Sequence, residues 1–423
     1  MRGARVWARL LGVENTVVQS VVFDEQQQVM LAVVRPMRRW GSRCGVCRRR
    51  CAGYDRGQGV RRWRALDLGT VQAFVQAEAP RVSCAAHGVV VAAVPWARHG
   101  AGHTYAFEQT VAWLATVCAQ SAVTALMRIA WRTVGAIVTR VWADTQARVD
   151  LLAGLRRIGI DEISYRKGYQ YLMVVVDLDT GSLVWAGQQG NRAQSLAVFF
   201  DLLGPTRCAQ ITHVSSDSAD WITRVTSRHC PKAIHGADPF HVVTWAIEAL
   251  DGQRRAIWNA VRGAARGHSG GKRPPQPVKL FNHARWALRK NPGRLTENQH
   301  EQLAWIAKTH PSLHRGWRLK EALRTVFVIA RRDPAQAIQA LDRWIGWARR
   351  CRLPLFVKLA QRITRHRPAI VACIQHRLSN GIVESTNTKI RLIIRRAFGF
   401  HSAKPIIALA MLTLSGHRPN LPR

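Results

Sequence analysis

"IGIDEISYRKGYQYLMVVVDLDTGSLVWAGQQG", residues 158–190, decides the fold class of this chain. It contains three runs rich in β-branched and aromatic residues, and short turns separate them, which is typical of strands. A helical pattern follows at residues 193–204. Two more strand-like runs, "QITHVSSD" (210–217) and "KAIHGADPF" (232–240), are each followed by another helical pattern. Three strands and then alternating strands and helices predict an α/β domain with a mixed sheet.

Acidic residues stand where these elements end or begin. Asp161 lies at the end of one strand-like run, and Asp217 directly follows another. Glu384 begins a helical pattern in "SNGIVESTNTKIRLIIRRAFGF" (379–400) and is the only carboxylate after Asp342. Carboxylates at adjacent strand ends can converge at one edge of a sheet, and a helix packed across that edge can supply a third. Three such groups can hold two Mg²⁺ ions about 4 Å apart for phosphodiester chemistry.

Each acid also has a simpler explanation. Other carboxylates, Glu162 and Asp177, lie near Asp161 in the sequence, so an acid in this region is not by itself evidence of catalysis. Asp179 in "DTG" is typical of a turn. Asn380 can cap the helix that follows, and the helix dipole favours a glutamate such as Glu384 in a first turn. The ordered combination of the three acids therefore carries the hypothesis, and no single acid does.

The charge of the chain indicates its partner. Of 423 residues, 63 are Lys or Arg and 25 are Asp or Glu, for a formal net charge of +38. Such a chain repels itself unless a polyanion neutralises it, so nucleic acid is the expected partner. A membrane surface is the alternative, but the basic residues are spread over every segment. The excess of Arg over Lys suits bidentate phosphate contacts or reflects a GC-rich genome.

The cysteines and the N-terminus indicate a compartment. The first residues lack the apolar core and cleavage site of a signal peptide. Residues 109–127 are uncharged but carry several polar side chains, which favours packed helices over a membrane span. Nine cysteines, an odd number, are typical of reduced thiols, so we expect a cytoplasmic protein.

Two short Cys/His motifs predict a metal site. They are Cys44-x2-Cys47 and Cys84-x2-His87, and 36 residues separate them. Paired motifs of this kind place four ligands tetrahedrally, which suits structural Zn²⁺. Cys51 could compete for a ligand position and ranks below Cys84. The alternative is a set of scattered core thiols with a surface histidine.

Residues 121–142, "SAVTALMRIAWRTVGAIVTRVW", predict two short helices that meet near Ile129–Ala130. The second helix would expose Arg132, Thr133 and Arg140 to a DNA groove. An ordinary helical hairpin is the alternative, since the turn lacks its usual Gly. The apolar positions that fit the packed face of the pair are Ala125, Leu126, Ile129, Val134, Ile137 and Val138.

Helical patterns dominate the rest of the chain. Residues 251–367 are helical, basic and rich in Trp, with a Gly/Pro/Lys-rich break at 266–277 that predicts an exposed loop. Two further helices are predicted at 381–396 and 403–415. The tryptophans could clamp DNA or pair two chains, or they could simply form a helical core. They are Trp258, Trp286, Trp305, Trp317, Trp344 and Trp347.

Four motifs in this order resemble those of the DDE transposases of bacterial insertion sequences, in the group known as the ISL-three family. They are "IGIDEIS", "SSDSADW", "ADPFHVV" and "SNGIVESTNTKIRLIIRRAFGF". The resemblance covers nearly the whole chain and implies a multidomain α+β protein. It implies a small zinc-binding module, a helix-turn-helix, and a ribonuclease-H-like α/β catalytic domain with a mixed sheet, interrupted by an all-α insertion.

The pattern and the resemblance together divide the chain into six segments. In order they are an N-terminal β-hairpin (1–43), the zinc-binding module (44–98), the helix-turn-helix region (99–150), the first part of the catalytic domain (155–250), the helical insertion (251–367), and the last part of the catalytic domain (368–423).

The resemblance also implies roles for individual residues. Asp161, Asp217 and Glu384 match the catalytic acids and Mg²⁺ (or Mn²⁺) ligands. Four residues would support them, namely Asp238, His241, Asn387 and Arg391. The positions on the last catalytic helix that would contact the DNA backbone are Lys389, Arg391, Arg395 and Arg396.

Two departures from the family pattern concern the metal site and the turn. His87 stands where the family often has Cys, and Ala130 stands where it commonly has Gly.

The implied activity is Mg²⁺-dependent cleavage and strand transfer at the terminal inverted repeats of an insertion sequence. The partner would be double-stranded DNA, both element ends and target, and two ends handled together imply a homodimer or a larger synaptic complex. The alternatives are a DNA-binding regulator derived from such an enzyme, and a metal-dependent nuclease without strand transfer.

Overall fold

The computed structural model describes residues 2–168, 170–217, 219–266 and 285–422. They form two compact units. The first, the terminal unit, contains Met1–Leu151, Tyr165–Gly168 and Thr388–Arg423. The second, the central unit, contains Leu152–Ser164 and Tyr169–Asn387.

Seven strands build two small sheets in the terminal unit. One sheet has the order β1-β2-β5-β4 and the other the order β3-β6-β7. The strands are β1 (Thr16–Asp24), β2 (Val29–Pro36), β3 (Ala52–Asp55), β4 (Val60–Arg64), β5 (Gln72–Glu78), β6 (Arg81–Cys84) and β7 (Gly88–Val91).

The predicted N-terminal hairpin is present as the antiparallel pair β1 and β2. It does not stand alone, because β2 also pairs in parallel with β5 from the next predicted segment. A helix that the sequence pattern did not indicate, α1 (Arg2–Leu10), precedes it. The alternating apolar residues of β1 and β2 therefore pack in one core together with residues of β4 and β5, the other two strands of the sheet.

The other helices of the terminal unit include the predicted helical pair. They are α2 (Tyr105–Val117), α3 (Gln120–Met127), α4 (Trp131–Gln146) and, near the C-terminus, α14 (Ala403–Leu414). Arg128 ends α3 in the left-handed region, at φ 52° and ψ 49°. Ala130 is extended, at φ −71° and ψ 152°, which alanine adopts without strain. The turn therefore needs no Gly at position 130.

The packed face of this pair differs in part from the prediction. Val134, Ile137 and Val138 are buried as predicted, but Leu126 is 65% exposed. The buried positions on α3 are Val123 and Met127. Leu126 therefore lies on the outer side of α3, one residue away from the buried stripe.

Within the described residues, no single helix is both long and apolar enough to cross a membrane. Helices α3 and α4 meet that criterion only as a pair, by length and composition, and they are bent by 99° at their junction.

The central unit contains the predicted mixed sheet. Its strand order is β10-β9-β8-β11-β12. Strands β9 and β10 are antiparallel, whereas β11 is parallel to both β8 and β12. The strands are β8 (Arg157–Arg166), β9 (Gln170–Asp177), β10 (Leu183–Gly187), β11 (His213–Ser216) and β12 (Ile234–Ala237), and the helices that follow the last three are α5 (Arg192–Cys208), α6 (Asp220–His229) and α7 (Pro239–Arg266).

The helical segment between the sheet and the last acid forms its own core. Leu319, Leu323, Leu341 and Phe356 are fully buried in it. The predicted loop at 266–277 lies, from residue 267 onwards, outside the described residues. The helices are α8 (Glu297–Thr309), α9 (Pro311–Ala330), α10 (Pro334–Arg349), α11 (Pro354–Arg365) and α12 (Arg367–His376), before α13 (Gly381–Arg396) returns to the sheet.

Most of the tryptophans of this segment belong to its core. Trp344 is buried, and its indole N–H donates to the carbonyl of Leu319 at 2.8 Å. Trp286 is 59% exposed. The remaining four pack half-buried against the core, namely Trp258, Trp305, Trp317 and Trp347. This packing favours the core role over a DNA clamp for all but Trp286.

Candidate active site

Three aspartates form a row across the central sheet, level with the carboxyl ends of β11 and β12. Ser215 of β11 lies opposite Gly159 of β8, and continuing this parallel register by two residues places Asp217 beside Asp161. Ser216 lies opposite Ala237 of β12, so one further residue places Asp238 on the other side of Asp217. Neighbouring strands are about 4.8 Å apart, so the register brings all three carboxyl groups to one level of the sheet. We call Asp161, Asp217 and Asp238 the aspartate row.

Asp161 is held by two hydrogen bonds. Its Oδ1 accepts from the backbone N–H of Glu162 at 2.8 Å, and its Oδ2 accepts from Nδ2 of Asn387 at 2.8 Å. The pKa of Asp161 is raised to about 6, mainly by burial and to a smaller extent by the charge of Asp217, against the effect of the Glu162 N–H. Asn387, a predicted supporting residue, thus reaches Asp161 directly from α13.

Asp217 occupies the centre of the row. Its Oδ1 accepts from the backbone N–H of Ala219 at 3.2 Å. Burial raises the pKa of Asp217, while the Ala219 N–H and the charges of His241 and Arg192 lower it. The register and the mutual electrostatic effect place Asp217 next to Asp161. Asp217 directly follows β11, as predicted, whereas Asp161 lies in the middle of β8 and not at its end.

Glu384 forms a cluster with Asp238 and His241. Ligand atoms of Asp238, His241 and Glu384 lie within 4.8 Å of one another. Among the described residues, Asp161, Asp217 and Glu384 do not gather this tightly. The sequence assigned Asp238 and His241 only a supporting role. Their proximity to Glu384 depends on α13, and Asn380, the residue before that helix, is 142 residues from Asp238.

Asp238 is itself anchored at both oxygens. Oδ2 lies 2.8 Å from Nδ1 of His241, and Oδ1 accepts from the backbone N–H of Asn380 at 3.3 Å. The hydrogen bond to Asp238 raises the pKa of His241, and the charges of Asp217 and Asp161 raise it further. Asn380 is fully buried, and neither polar atom of its side chain has a hydrogen-bond partner among the described residues.

A glycine allows α13 to approach the sheet. At Gly159 of β8, a Cβ atom would overlap the side chain of Val383 and lie 2.9 Å from Cδ2 of Leu178. Val383 directly precedes Glu384, so the absence of a side chain at Gly159 sets how closely Glu384 approaches the strand ends.

The predicted DNA contacts on α13 divide into two groups. Lys389, Arg391 and Arg395 are exposed. Arg396 instead donates to the backbone carbonyls of Thr116 and Val117 at 2.9 and 3.1 Å. Because these carbonyls belong to the last turn of α2, Arg396 serves as a cap for that helix.

The predicted DNA contacts on α4 divide in the same way. Arg132 is exposed and Thr133 is half-buried. Arg140 donates to fully buried Glu108, with its Nε 2.9 Å from Oε1. Buried Arg98 joins Glu108 through Nη1 at 3.0 Å. The sequence pattern missed this internal ion-pair network, because the partner of Arg140 lies 32 residues upstream.

The four predicted zinc ligands lie together in the terminal unit. The Sγ atoms of Cys47 and Cys84 are 3.8 Å apart, and Nδ1 of His87 lies 3.7 Å from Sγ of Cys44 and 3.6 Å from Sγ of Cys84. Zn–S bonds of about 2.3 Å in a tetrahedron give S···S distances of about 3.8 Å, so the cluster fits this ion. Cys51 stays outside the cluster, and its thiol donates to the carbonyl of Arg49.

Local backbone geometry also favours the metal-binding form of one cysteine. The N–H of Ala86 lowers the pKa of the Cys84 thiol to about 7, and the N–H of His87 acts in the same direction against burial. The thiolate is the form that binds a metal.

The chain matches models of three known protein families. A family model described as "Transposase" matches residues 158–409, which is more than half of the chain. The helix-turn-helix domain of transposase family ISL3 matches residues 92–142. The zinc-finger of the transposases of IS204, IS1001, IS1096 and IS1165 matches residues 40–87.

The chain belongs to the ISL3 (ISL-three) family of transposases.

Individual relatives of this ISL3 transposase carry matching names. In two strains of Mycobacterium tuberculosis, the transposase for insertion sequence element IS1557 is 56% identical over 438 residues. The match covers 100% of this chain and 98% of the relative. The transposase for IS1001 of Bordetella parapertussis is 27% identical over 295 residues, covering 68% of this chain and 69% of the relative.

The matched regions contain the sites described above. The zinc-finger match includes all four residues of the Cys/His cluster, and the helix-turn-helix match ends within α4. The match to the ISL3 transposase domain contains the aspartate row and Glu384. The family resemblance inferred from the sequence motifs is thereby confirmed.

Proposed function

We propose that this transposase cleaves DNA at the ends of an insertion sequence and joins the freed 3′-OH to target DNA. The observation that carries the proposal is the aspartate row, which crosses the sheet level with the carboxyl ends of β11 and β12, with Glu384 brought to it by α13. Asp161, Asp217 and Glu384 are the proposed catalytic acids.

The residues of the site fit divalent metal ions. All the acids are hard oxygen donors, as Mg²⁺ and Mn²⁺ prefer. Burial raises the pKa of both Asp161 and Asp217, and no Lys or Arg in the described part of the chain forms an ion pair with either. The site therefore concentrates negative charge that a cation would neutralise.

Asp161, Asp217 and Glu384 would hold the ions. Asp238, which lies next to Asp217 and Glu384, would be a further ligand. When bound, the ions supply charge stabilisation for the attacking and leaving oxygens of an in-line displacement. Asn387 fixes the carboxylate of Asp161 by its hydrogen bond. His241, fixed by Asp238, is placed to exchange a proton with groups at the row.

We assign the central sheet to the ribonuclease-H-like class. Three sequential strands lie on one side of the sheet and two parallel strands joined by helices lie on the other, which supports this assignment. The helices from α7 to α12 then form the insertion between Asp217 and Glu384.

The zinc module and the helix-turn-helix would bind the terminal inverted repeats. Structural Zn²⁺ on Cys44, Cys47, Cys84 and His87 would stabilise the zinc-binding module, since their spacing matches a tetrahedral site. Arg132 is the exposed basic residue near the start of α4 that best fits a base or phosphate contact. The enzyme would act as a homodimer or larger synaptic complex on DNA in the bacterial cytoplasm, at the nucleoid.

A strand-transfer assay tests the proposal. The purified chain is incubated with a duplex that carries one end of its own insertion sequence, a supercoiled target plasmid, and Mg²⁺ or Mn²⁺. We expect nicking at the end of the element followed by joining to the plasmid, and no reaction in a chelator. Cleavage without joining would identify a nuclease instead, and binding without cleavage would identify a regulator.

A further inference from the structure

A basic cleft lies in the central unit beside the aspartate row. It has a volume of about 400 Å³ and lies between the start of α6 and one face of α11. Its basic lining residues are Lys358, Arg362, Arg365 and His366, and its acidic lining residue is Asp220. We call it the α11 cleft.

The sequence of α11 sorts its side chains onto two faces. Lys358, Arg362 and Arg365 follow one another at spacings of four and three residues, which places them on one exposed face. Phe356 and Ile363 are fully buried on the opposite face, within the core of the helical segment. Burial of the opposite face therefore orients α11 so that Lys358, Arg362 and Arg365 lie on its exposed side.

The charges on this face are only partly offset internally, because the carboxylates of Glu248 and Asp220 act on Arg362 without forming an ion pair with it. None of the ion pairs found in the described part of the chain involves Lys358, Arg362 or Arg365. Arg367, on the next helix, shows the contrast, because it forms a two-pronged ion pair with Asp342. Three unpaired cations around one cleft favour an anionic ligand from outside the chain.

One of the three cations is held in a fixed orientation. The guanidinium of Arg362 lies 3.8 Å from the ring centroid of Trp245, which is buried, and the ring of His366 lies 5.4 Å from the same indole. A stacked guanidinium keeps its planar fork of donors free for a phosphate, at little further loss of side-chain entropy.

The cleft and the aspartate row share two structural elements. Ala219, which lines the cleft, donates its N–H to Asp217, and Asp220 begins α6 three residues after Asp217. Trp245 lies one turn after His241 on α7. The same short segments therefore position the acids and the cations.

We propose that the α11 cleft binds a backbone phosphate of the DNA strand whose neighbouring phosphodiester enters the aspartate row. This inference rests on the proposed function, because it assigns the cleft a phosphate of the same substrate. It gives the helical segment a direct part in DNA binding, through Lys358, Arg362 and Arg365.

Ethylation interference with the full-length chain tests the proposal. The probe is a labelled duplex that carries one end of the element, ethylated at single phosphates. The test variant is Lys358→Ala/Arg365→Ala, whose side chains are exposed. The matched control is Lys308→Ala/Arg343→Ala, which removes one Lys and one Arg that are also exposed, outside the cleft and without ion pairs in the described residues.

We expect the test variant to lose the interference signal at one or two phosphates next to the cleaved bond and to keep the others. The slope of log K against log salt concentration should fall by about 2. The control variant should keep both the wild-type pattern and the wild-type slope.

An interference pattern that is unchanged in the test variant, or the same loss in both variants, would overturn the inference. Cleavage by the wild-type chain is measured in the same preparation. If the wild type cleaves and the pattern does not change, the cleft proposal fails alone. If the pattern changes at the terminal phosphates and the wild type does not cleave, the proposed function fails and the phosphate site stands.

Discussion

At the scale of single residues, Glu384 has two physical explanations. A first-turn glutamate is stabilised by the helix dipole, and that explanation holds wherever the helix lies. The structure adds a second one, because α13 brings Glu384 within 4.8 Å of ligand atoms of Asp238 and His241. The two explanations differ in what the loss of its charge would do.

We expect Glu384→Gln to abolish DNA cleavage, by about 10³-fold or more, and to leave binding of the element end unchanged. The amide keeps the size of the side chain but is a poor ligand for Mg²⁺. Cleavage and mobility-shift assays on the same duplex measure both properties. If Glu384 serves only the helix dipole, cleavage will persist and only the stability of the fold will fall slightly.

The raised pKa of Asp161 predicts a pH effect on metal binding. Since this pKa is about 6 in the metal-free protein, Asp161 is protonated below pH 6 and ionised above it. A divalent ion must displace this proton, so its affinity should fall as the pH drops through 6, by about tenfold per pH unit below it.

Calorimetric titration with Mn²⁺ in buffers of different ionisation enthalpy measures the protons released. The control is Asp179→Asn, which removes an exposed carboxylate on the turn between β9 and β10 and should leave the pH profile intact. An affinity that stays constant from pH 5 to pH 8 would show that Asp161 is not a ligand.

At the scale of elements, the packing of α13 on β8 decides where the last acid stands. Gly159→Ala would insert a Cβ against Val383 and Leu178 and push α13 away from the strand. We expect a loss of about 1–3 kcal/mol in unfolding free energy and a 10- to 100-fold loss of cleavage, with DNA binding retained.

Denaturation and cleavage assays measure these changes. Gly263→Ala in α7 is the control, because a Cβ there has no neighbour within 4 Å and alanine favours the helix. Full activity of Gly159→Ala would mean that the position of α13 tolerates the shift.

The zinc-binding module is a second element whose stability can be tested. Cys84→Ala removes one of the four clustered ligands. We expect this variant to lose about one Zn²⁺ per chain and its zinc-binding module to unfold, because structural zinc contributes directly to folding. Cys51→Ser should keep the ion, because Cys51 lies outside the cluster. Zinc content after dialysis and limited proteolysis between residues 40 and 87 distinguish the two variants. Equal zinc content in both would exclude the site.

At the scale of the whole molecule, the net charge of +38 opposes the association of two chains. Two copies of such a chain repel each other unless DNA neutralises them. We therefore expect a monomer without DNA at low salt and a complex of two chains and two element ends with DNA. Light scattering coupled to gel filtration measures the mass of each species. A dimer that persists at low salt without DNA would show that the protein surface alone drives assembly.

Several features of this transposase were determined by the sequence alone. The order of strands and helices from residue 158 to residue 266 followed from residue periodicity, because each element is fixed mainly by residues a few positions apart. The spacing of Cys44, Cys47, Cys84 and His87 predicted the cluster, since a tetrahedral site restricts which spacings can supply ligands. The combined motifs predicted the ISL3 family, which is confirmed.

Only the tertiary structure decided which side chains meet. The parallel register aligned Asp238 with Asp217, and the return of α13 placed Glu384 beside Asp238 and His241. Arg140 and Arg396 were predicted to face DNA, yet internal partners far away in sequence hold them. The spacing of apolar residues within a short segment predicts whether that segment forms a helix or a strand. Pairing between distant elements depends on register and packing, which no local stretch of sequence contains.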